Sequence, residues 1–292
     1  MSVFENILKE KRPNLSKSSL KTYESILRNL YNKVFDKEEP DMKDFNKTDK
    51  IIKYLKELPA NKRKTILSSL VIITDNKDYR ELMLDDIKKY NEEQAKQTKT
   101  ETQEENWVDK NQMTELYNAL SKNANILYKK TKLTSNDLQE IQLFIILSLF
   151  GGFFIPPRRS KDYVKMKIKN IDDKTDNYIN KNEFIFNDYK TAKTYGQQKL
   201  TIPKELKTIL NKWIKFNPTD YLLFDTSLNS LTNVKLNQRL NKLFGKKAGV
   251  NQMRKTYLTE KYGDLIDTKK ALEKDMSDMG SSTLQETIYI KK

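Results

Sequence analysis

The sequence predicts a mostly α-helical protein with one small antiparallel β-sheet, which lies in an α+β C-terminal half. Glycine and proline number seven each in 292 residues, too few for a β protein with many turns. Apolar residues recur at helical spacing through most of the chain. The pattern changes after residue 159, where two short segments with strand character, 184–186 and 199–203, predict a hairpin.

The first 95 residues predict a small helical bundle. Polar residues 16–19 precede a run of apolar residues at helical spacing that starts at Leu20. This is the pattern of an N-capped helix with one apolar face. Further helices are expected at 47–58, directly after Pro59, and from 79 to about 97.

A polar segment separates this bundle from the rest of the chain. Residues 91–106 are nearly free of apolar side chains, and such a composition cannot bury a core. Trp107 then begins a new helix. We therefore predict an N-terminal domain over 1–95, a linker over 96–106 and a second domain over 107–292.

The second domain is predicted to begin and end in helices, with the sheet between them. Its most apolar stretch, 143–150, indicates a buried helix, because a membrane span needs about 20 residues. Apolar residues from Val164 to Ile171 lead into a polar turn at 172–177, and the hairpin follows. The helices expected after the hairpin are 206–213, 231–244 and 252–262.

The chain is strongly basic, with a formal net charge of +15 and a pI near 9.5. A polyanionic partner is expected, because a protein that neutralises phosphates releases counterions from nucleic acid. The alternative is that the charge only keeps the protein soluble, with lysine and glutamate coating the helices. Composition alone favours the nucleic-acid partner.

Cysteine and histidine are both absent. Disulfides, histidine-containing zinc sites, serine–histidine pairs and imidazole bases are thereby excluded. General acid–base chemistry must fall to Lys, Tyr, Asp or Glu. No glycine-rich phosphate loop followed by Lys-Ser/Thr occurs, which argues against nucleotide hydrolysis. The chain starts without the apolar run of a signal peptide, so we expect an intracellular protein of the cytoplasm or nucleus that is not secreted.

Four well-separated residues, Arg159, Lys190, Arg254 and Tyr289, lie in segments whose chemistry suits attack on a DNA phosphate. Two arginines can grip the non-bridging phosphate oxygens through paired hydrogen bonds. A lysine among other cations can protonate the leaving 5′ oxygen. A tyrosine can serve as the nucleophile, because covalent attack divides one difficult step into two easier ones. Such a reaction needs neither a metal nor water.

These segments resemble the tyrosine recombinase (phage-integrase) family over much of residues 107–292. Residues 157–163, Pro-Arg-Arg-Ser-Lys-Asp-Tyr, are similar to its first arginine box, in which an arginine precedes an acidic residue by three positions and a short strand follows. That register selects Arg159, with Asp162, over Arg158, which is expected to be structural or to face DNA. Three further segments match the hairpin lysine, the second arginine box and the nucleophile helix with its preceding turn: 189–191, 250–259 and 279–289.

The resemblance extends to the N-terminal bundle, which is similar to the DNA-clamping (core-binding) domain of the family. The double-proline form of the first box and the Asn-x-x-Arg form of the second are closest to integrases of eukaryotic DNA viruses and large self-synthesising transposons. The resemblance implies that Arg159 and Arg254 hold the scissile phosphate and that Lys190 protonates the leaving oxygen. Lys193 and Lys199 compete with Lys190 for that role.

The resemblance also implies that Tyr289 is the nucleophile, since Tyr257 and Tyr262 follow the second arginine box too closely to belong to a separate helix. Two positions depart from the family pattern. Asn251 stands where the family usually has a histidine, and Ser281 stands where it has histidine or tryptophan. Both can donate a hydrogen bond to phosphate, but neither can carry positive charge. Loss of one preorganised donor costs about 10²–10³ in rate, so slow catalysis is expected.

The function implied by the resemblance is that of a site-specific DNA recombinase or integrase. It cuts and rejoins DNA through a 3′-phosphotyrosyl intermediate without metal, ATP or another cofactor. The implied partners are double-stranded DNA and further copies of the chain, in a homo-tetramer on two DNA sites, with no membrane and no nucleotide. Two alternatives stay open: strand relaxation like that of a type IB topoisomerase, and a catalytically inactive DNA-binding protein derived from a recombinase.

Overall fold

The computed structural model describes residues 3–35 and 40–280. The chain forms two compact units, Met1–Lys99 and Thr100–Lys292. The predicted fold class is confirmed, because helices dominate both units and the described residues contain one three-stranded antiparallel sheet, in the second unit. Within these ranges no helix is both long enough and apolar enough to cross a membrane.

Among the described residues of the first unit, the regular secondary structure is all helical, as the sequence predicts. Pro59 precedes one helix with extended backbone, and the Asn76 side chain caps another by accepting hydrogen bonds from two backbone N–H groups. The first helix is not among those predicted, although its Phe4 and Leu8 are fully buried. The helices are α1 (Val3–Lys11), α2 (Lys17–Phe35), α3 (Thr48–Lys56), α4 (Ala60–Thr74) and α5 (Lys77–Ala95), with a 3-10 turn at Met42–Asn46.

Two buried polar contacts fix the packing of the first unit. The Tyr79 hydroxyl donates to the backbone carbonyl of Phe45 at 2.8 Å. Arg63 and Asp86 join α4 to α5 through two bonds, Nε to Oδ2 at 2.7 Å and Nη2 to Oδ1 at 2.5 Å. Because Asp86 is fully buried, this pair satisfies a carboxylate that would otherwise be costly to remove from water.

The second unit contains the other helices. The segment predicted as a linker includes a short one, which begins at a capping box formed by Thr100 and Gln103. The apolar stretch 143–150 lies at the end of a helix and is largely buried, as predicted. The helices are α6 (Glu101–Glu105), α7 (Lys110–Leu127), α8 (Ser135–Phe150), α9 (Ser160–Val164), α10 (Ala192–Tyr195), α11 (Lys204–Phe216), α12 (Asn233–Phe244), α13 (Val250–Tyr262) and α14 (Leu265–Asp278).

The sheet has the strand order β1-β2-β3, with both neighbouring pairs antiparallel. Its strands are β1 (Tyr178–Asn180), β2 (Glu183–Phe186) and β3 (Gln198–Thr201). Phe186 pairs with Gln198 at one end of the β2–β3 hairpin. The predicted hairpin is therefore confirmed, and residues 187–197, which include α10, connect its two strands.

The short strand expected after the first arginine box does not form. Met166 and Val164 are buried in the core, which explains the apolar pattern, but their backbone does not join a continuous ladder. The N–H of Lys167 donates to Asn177 at 2.7 Å, and the N–H of Ile168 donates to Asp220 at 2.8 Å. Because successive residues bond to different segments, the chain here makes only isolated bridges, and the third strand is β1.

Aromatic rings form much of the core of the second unit. The rings of Trp213 and Phe224 stack with centroids 5.8 Å apart, and the Trp213 indole donates to the carbonyl of Leu222 at 2.8 Å. Tyr163, from α9, packs edge-on against Phe184 and Phe186 of β2. The sheet and α9 therefore share one core, which fixes the hairpin relative to the start of α9.

Candidate active site

A cleft of about 220 Å³ in the second unit is lined by three separate parts of the chain: the segment that leads into α9, the β2–β3 hairpin and α13. We call it the arginine cleft. Its lining residues are Pro156, Pro157, Arg158, Arg159, Asp162, Tyr189, Thr191, Tyr195, Gln198 and Arg254.

Arg159 enters the cleft at the N-terminal end of α9. The prolines at 156 and 157 fix their own φ angles and disfavour helix before them. Arg159 itself is extended, with φ −69° and ψ 152°, and α9 begins at the next residue. Its side chain is exposed, and no carboxylate of residues 3–35 or 40–280 forms an ion pair with it.

Arg158 has a different environment, although it is the adjacent residue. Its Nε donates to Asp162 Oδ2 at 2.7 Å, and its Nη2 donates to Gln198 Oε1 at 3.0 Å. The guanidinium carbon lies 3.9 Å from the centroid of the Phe186 ring, in cation–π geometry. Arg158 therefore links α9 to the hairpin, which fits the structural role expected for it.

Asp162 lies beneath the arginines and is 3% exposed. Burial raises the pKa of its carboxyl group, and the charges of Arg158, Arg159 and Arg254 oppose that shift. Its Oδ2 accepts from Arg158, whereas its buried Oδ1 has no hydrogen-bond partner among the described residues. Asp162 therefore orients Arg158 through a hydrogen bond, and its charge offsets part of the repulsion among the three guanidinium groups.

Arg254 reaches the cleft from α13. That helix is anchored by its buried face, where Val250, Met253 and Thr256 lie. The Thr256 hydroxyl donates to the carbonyl of Val108 at 2.7 Å. Arg254 occupies the adjoining face and is half-buried; like Arg159, it has no ion-pair partner in the part of the chain that the structure describes. The fold thus brings the two predicted phosphate-binding arginines into one cleft.

Lys190 follows β2 within the hairpin, and its side chain is exposed. Its neighbours Tyr189 and Thr191 line the arginine cleft, but Lys190 itself does not. Lys193 and Lys199 are also exposed and also lie outside the lining. The geometry of the free protein does not choose among these three lysines.

Asn251 lies one turn before Arg254 on α13 but lines a neighbouring cleft of about 430 Å³. That cleft is polar, and Asn237, Lys247 and Lys255 line it as well. Asn237 also holds the start of α13, because its Oδ1 accepts from the N–H of Val250 at 3.0 Å. The structure therefore does not place Asn251 in the lining that Arg159 and Arg254 share.

Tyr289 and Ser281, the predicted nucleophile and the predicted donor before it, lie outside the described residues. The rival tyrosines are described. Tyr257 lines a third cleft of about 340 Å³ with Gly152 and Lys261, and its ring would be 2.6 Å from a Cβ at position 152. Neither Tyr257 nor Tyr262 lines the arginine cleft.

Sequence reasoning did not identify Thr191, Tyr195 and Gln198 as cleft residues. Gln198 faces the cleft because it pairs with Phe186 across the hairpin, a register that the sequence alone does not fix. Thr191 adjoins the predicted lysine and could have been included on that ground. No pattern in the sequence distinguishes Tyr195 from the other tyrosines.

Two guanidinium groups that share one concave site, and that have no carboxylate partner within residues 3–35 and 40–280, have the chemistry of a phosphate receptor. The planar guanidinium presents paired donors that match phosphate oxygens. Asp162, the carboxylate that lines the same cleft, pairs with Arg158 and not with either of them. The arrangement can therefore hold a phosphodiester and stabilise extra negative charge on its non-bridging oxygens.

When the chain is compared with known proteins, only solved structures match it. No model of a known protein family matches this chain. No curated protein matches it either.

The solved structures that are similar to this chain include the following three recombinases and integrases. The XerA recombinase is 11% identical, with 88% of this chain and 83% of that chain covered and a TM-score of 0.35. A lambda integrase dimer bound to a COC′ core site is 13% identical, with coverage of 91% and 69% and a TM-score of 0.49. The XerH site-specific recombinase bound to difH in a pre-cleavage complex is 12% identical, with coverage of 89% and 85% and a TM-score of 0.39. At these sequence identities and TM-scores, the structural similarity carries no argument about function.

Proposed function

We propose that this protein is a DNA strand transferase of the recombinase or integrase kind, which breaks and rejoins DNA through a covalent tyrosine intermediate. One observation carries the proposal: Arg159 and Arg254, far apart in sequence, line one cleft and have no ion-pair partner among the described residues. Sequence motifs select the same two arginines. A pair that served only stability would be expected to engage carboxylates, as Arg158 engages Asp162.

The proposed reaction has two steps. The phenolic oxygen of Tyr289 attacks the phosphorus held by Arg159 and Arg254, and a phosphorus–oxygen bond forms as the bond to the 5′ oxygen breaks. The phenolic proton passes to solvent, and Lys190 donates the proton that this 5′ oxygen takes up; in the second step Lys190 regains a proton from the attacking 5′-hydroxyl and solvent returns one to Tyr289. A 5′-hydroxyl from a partner duplex then attacks the 3′-phosphotyrosyl bond and releases Tyr289. Each step exchanges one phosphodiester for another, so neither ATP nor metal is consumed.

The proposed partner is double-stranded DNA. The net charge of +15 supports a polyanion, and the affinity is expected to fall steeply as salt concentration rises. We assign DNA clamping to residues 1–95, a linker to 96–106 and catalysis to 107–292. We further propose that a homo-tetramer acts on two DNA sites, because exchange needs two duplexes and two strand breaks in each.

A nicked suicide duplex tests this proposal. A nick just 3′ to the scissile phosphate lets a short fragment diffuse away after cleavage, which leaves the protein attached to DNA. Because the target sequence is not known, a library of nicked duplexes is incubated with the full chain, and adducts that resist denaturation are isolated. We expect a DNA-linked protein, and mass spectrometry of the digested adduct should find the nucleotide on Tyr289.

Matched phenylalanine variants identify the nucleophile. Tyr289→Phe should abolish the adduct, while Tyr262→Phe, which alters a tyrosine outside the arginine cleft, should retain it. An adduct that persists in Tyr289→Phe would contradict the assigned nucleophile. The absence of any adduct from the unaltered protein, with every duplex tested, would contradict the proposed reaction.

A second candidate is a DNA-binding protein without strand-transfer activity. Asn251, which stands where a histidine is usual in the family that the sequence resembles, lines a cleft other than the arginine cleft. That observation favours a weakened phosphate site. Salt-sensitive DNA binding by the full chain, together with no adduct on any nicked duplex, would support this candidate over the first.

A further inference from the structure

The arginine cleft contains a tyrosine that the proposed reaction does not use. Tyr195 is the last residue of α10, in the β2–β3 hairpin, and it lines the cleft together with Arg159 and Arg254. Its side chain is nevertheless 67% exposed. An aromatic ring that remains open to solvent contributes little to packing, so burial does not explain its place at the cleft.

The hairpin holds the backbone of Tyr195 in place on both sides. The N–H of Tyr195 donates to the carbonyl of Thr191 at 3.1 Å, and the N–H of Gly196 donates to Ala192 at 2.8 Å. Gly196 has φ +64°, a backbone conformation that residues other than glycine rarely adopt. Its carbonyl accepts a hydrogen bond from the hydroxyl of buried Tyr189 at 2.8 Å. These bonds make the position of Tyr195 a property of the folded hairpin.

A phosphate held in this cleft would be stabilised further by a donor besides the two arginines. The transition state of phosphoryl transfer spreads negative charge over its non-bridging oxygens, and donors fixed in advance stabilise that charge. Asn251 lines the neighbouring cleft, and the chain contains no histidine. Arg158 is already engaged by Asp162 and Gln198. A phenolic hydroxyl can donate without a change of protonation.

We propose that Tyr195 is a catalytic residue whose hydroxyl donates a hydrogen bond to a non-bridging oxygen of the phosphate held by Arg159 and Arg254. This inference rests on the proposed strand-transfer function and adds a residue to its site. Tyr195 forms no covalent bond in the reaction and keeps its proton throughout. The hairpin thus supplies a neutral donor to a site that has two fixed cations.

Single-turnover cleavage of a nicked suicide duplex tests the inference, with the full chain in excess over DNA. Tyr195→Phe removes the hydroxyl and keeps the ring. We expect adduct formation to slow by about 10²-fold, while the dissociation constant for the same duplex changes by less than about threefold. Tyr178→Phe, a tyrosine on β1 outside the cleft, is the matched control and should cleave at the original rate.

A donor variant separates hydrogen bonding from a structural role. Tyr195→Gln removes the ring but restores N–H donors, so its adduct rate should exceed that of Tyr195→Leu by about tenfold or more. Thermal unfolding of each variant, followed by tryptophan fluorescence, shows whether the second unit remains folded. Equal rates for the Gln and Leu variants, with the fold intact, would mean that the hydroxyl donates nothing.

Three other outcomes would contradict the role proposed for Tyr195. If Tyr195→Phe cleaves at the original rate and Tyr195→Leu loses DNA affinity, the ring stacks on DNA and the donor role is wrong. If Tyr195→Phe forms no adduct while Tyr289→Phe does, Tyr195 is itself the nucleophile and the assignment fails. If the unaltered protein forms no adduct, the proposed function fails first, and the role of Tyr195 falls with it.

Discussion

Replacement of Asp162 by alanine should destabilise the second unit strongly, because it removes a buried carboxylate and leaves the half-buried guanidinium of Arg158 without its ion-pair partner. Asp162 is 3% exposed and accepts from Arg158 Nε at 2.7 Å. Removing one member of a buried ion pair costs about 3–5 kcal/mol. The Arg158 side chain is 22% exposed and keeps its bond to Gln198, so we expect the lower end, about 3 kcal/mol.

The assay is urea unfolding followed by tryptophan fluorescence. Both tryptophans, Trp107 and Trp213, lie in the second unit, so this signal reports on that unit and not on the first. The control is Asp188→Ala, which removes an exposed ion pair with Lys161 in the same region. Exposed pairs contribute no more than about 1 kcal/mol. Equal losses for the two variants would refute the reasoning that burial of Asp162 sets the cost.

Three further results are expected. Arg254→Ala should slow adduct formation on a nicked duplex by at least about 10²-fold with little change in the urea midpoint, and an unchanged rate would remove Arg254 from the phosphate site. Lys190→Ala should slow cleavage of a duplex with an ordinary 5′-oxygen leaving group but not of one with a 5′-thiol, which needs no proton. In the controls Lys193→Ala and Lys199→Ala, the change in cleavage rate should be the same for both duplexes. A rate loss that depends on the leaving group in either control would make that lysine the general acid. Burial raises the pKa of Tyr79 from 10.0 to about 12, so the stability from its neutral phenol is complete below pH 10 and is lost as the pH rises toward 12. The urea midpoint of the first unit, which contains Tyr79 but no tryptophan, is followed by the far-ultraviolet circular dichroism of its helices. Between about pH 9 and about pH 11 it should fall further in the unaltered protein than in Tyr79→Phe, and parallel falls would contradict the shift.

The sequence was a good guide to local structure where one helix face carries the apolar residues. The spacing that predicts the helices at 206–213 and 252–262 corresponds to α11 and α13. It failed where apolar residues face the core from irregular backbone. Met166 is fully buried, yet its neighbours bond to Asn177 and Asp220 rather than to one strand. Periodicity records burial, and it cannot distinguish a strand from a loop pressed against the core.

For the candidate site, the sequence identified the two arginines but did not identify every residue that lines the cleft. The order of motifs selected Arg159 and Arg254, and the structure places both in one cleft. The same motifs included Asn251, which lines another cleft, and omitted Tyr195, which lines the first one. Both differences depend on the direction of a side chain from an element whose orientation is set by distant contacts.

The sequence by itself determined the mostly helical fold class, the basic charge and the exclusion of thiol and imidazole chemistry, since these follow from composition and local spacing. Only the tertiary structure decided which of these cations pairs with a carboxylate. Arg158 and Arg159 are adjacent and chemically identical, but Arg158 packs on Phe186 and pairs with Asp162, whereas Arg159 is exposed at the cleft. The hairpin that separates their roles comes from a later part of the chain, so the difference is a non-local one.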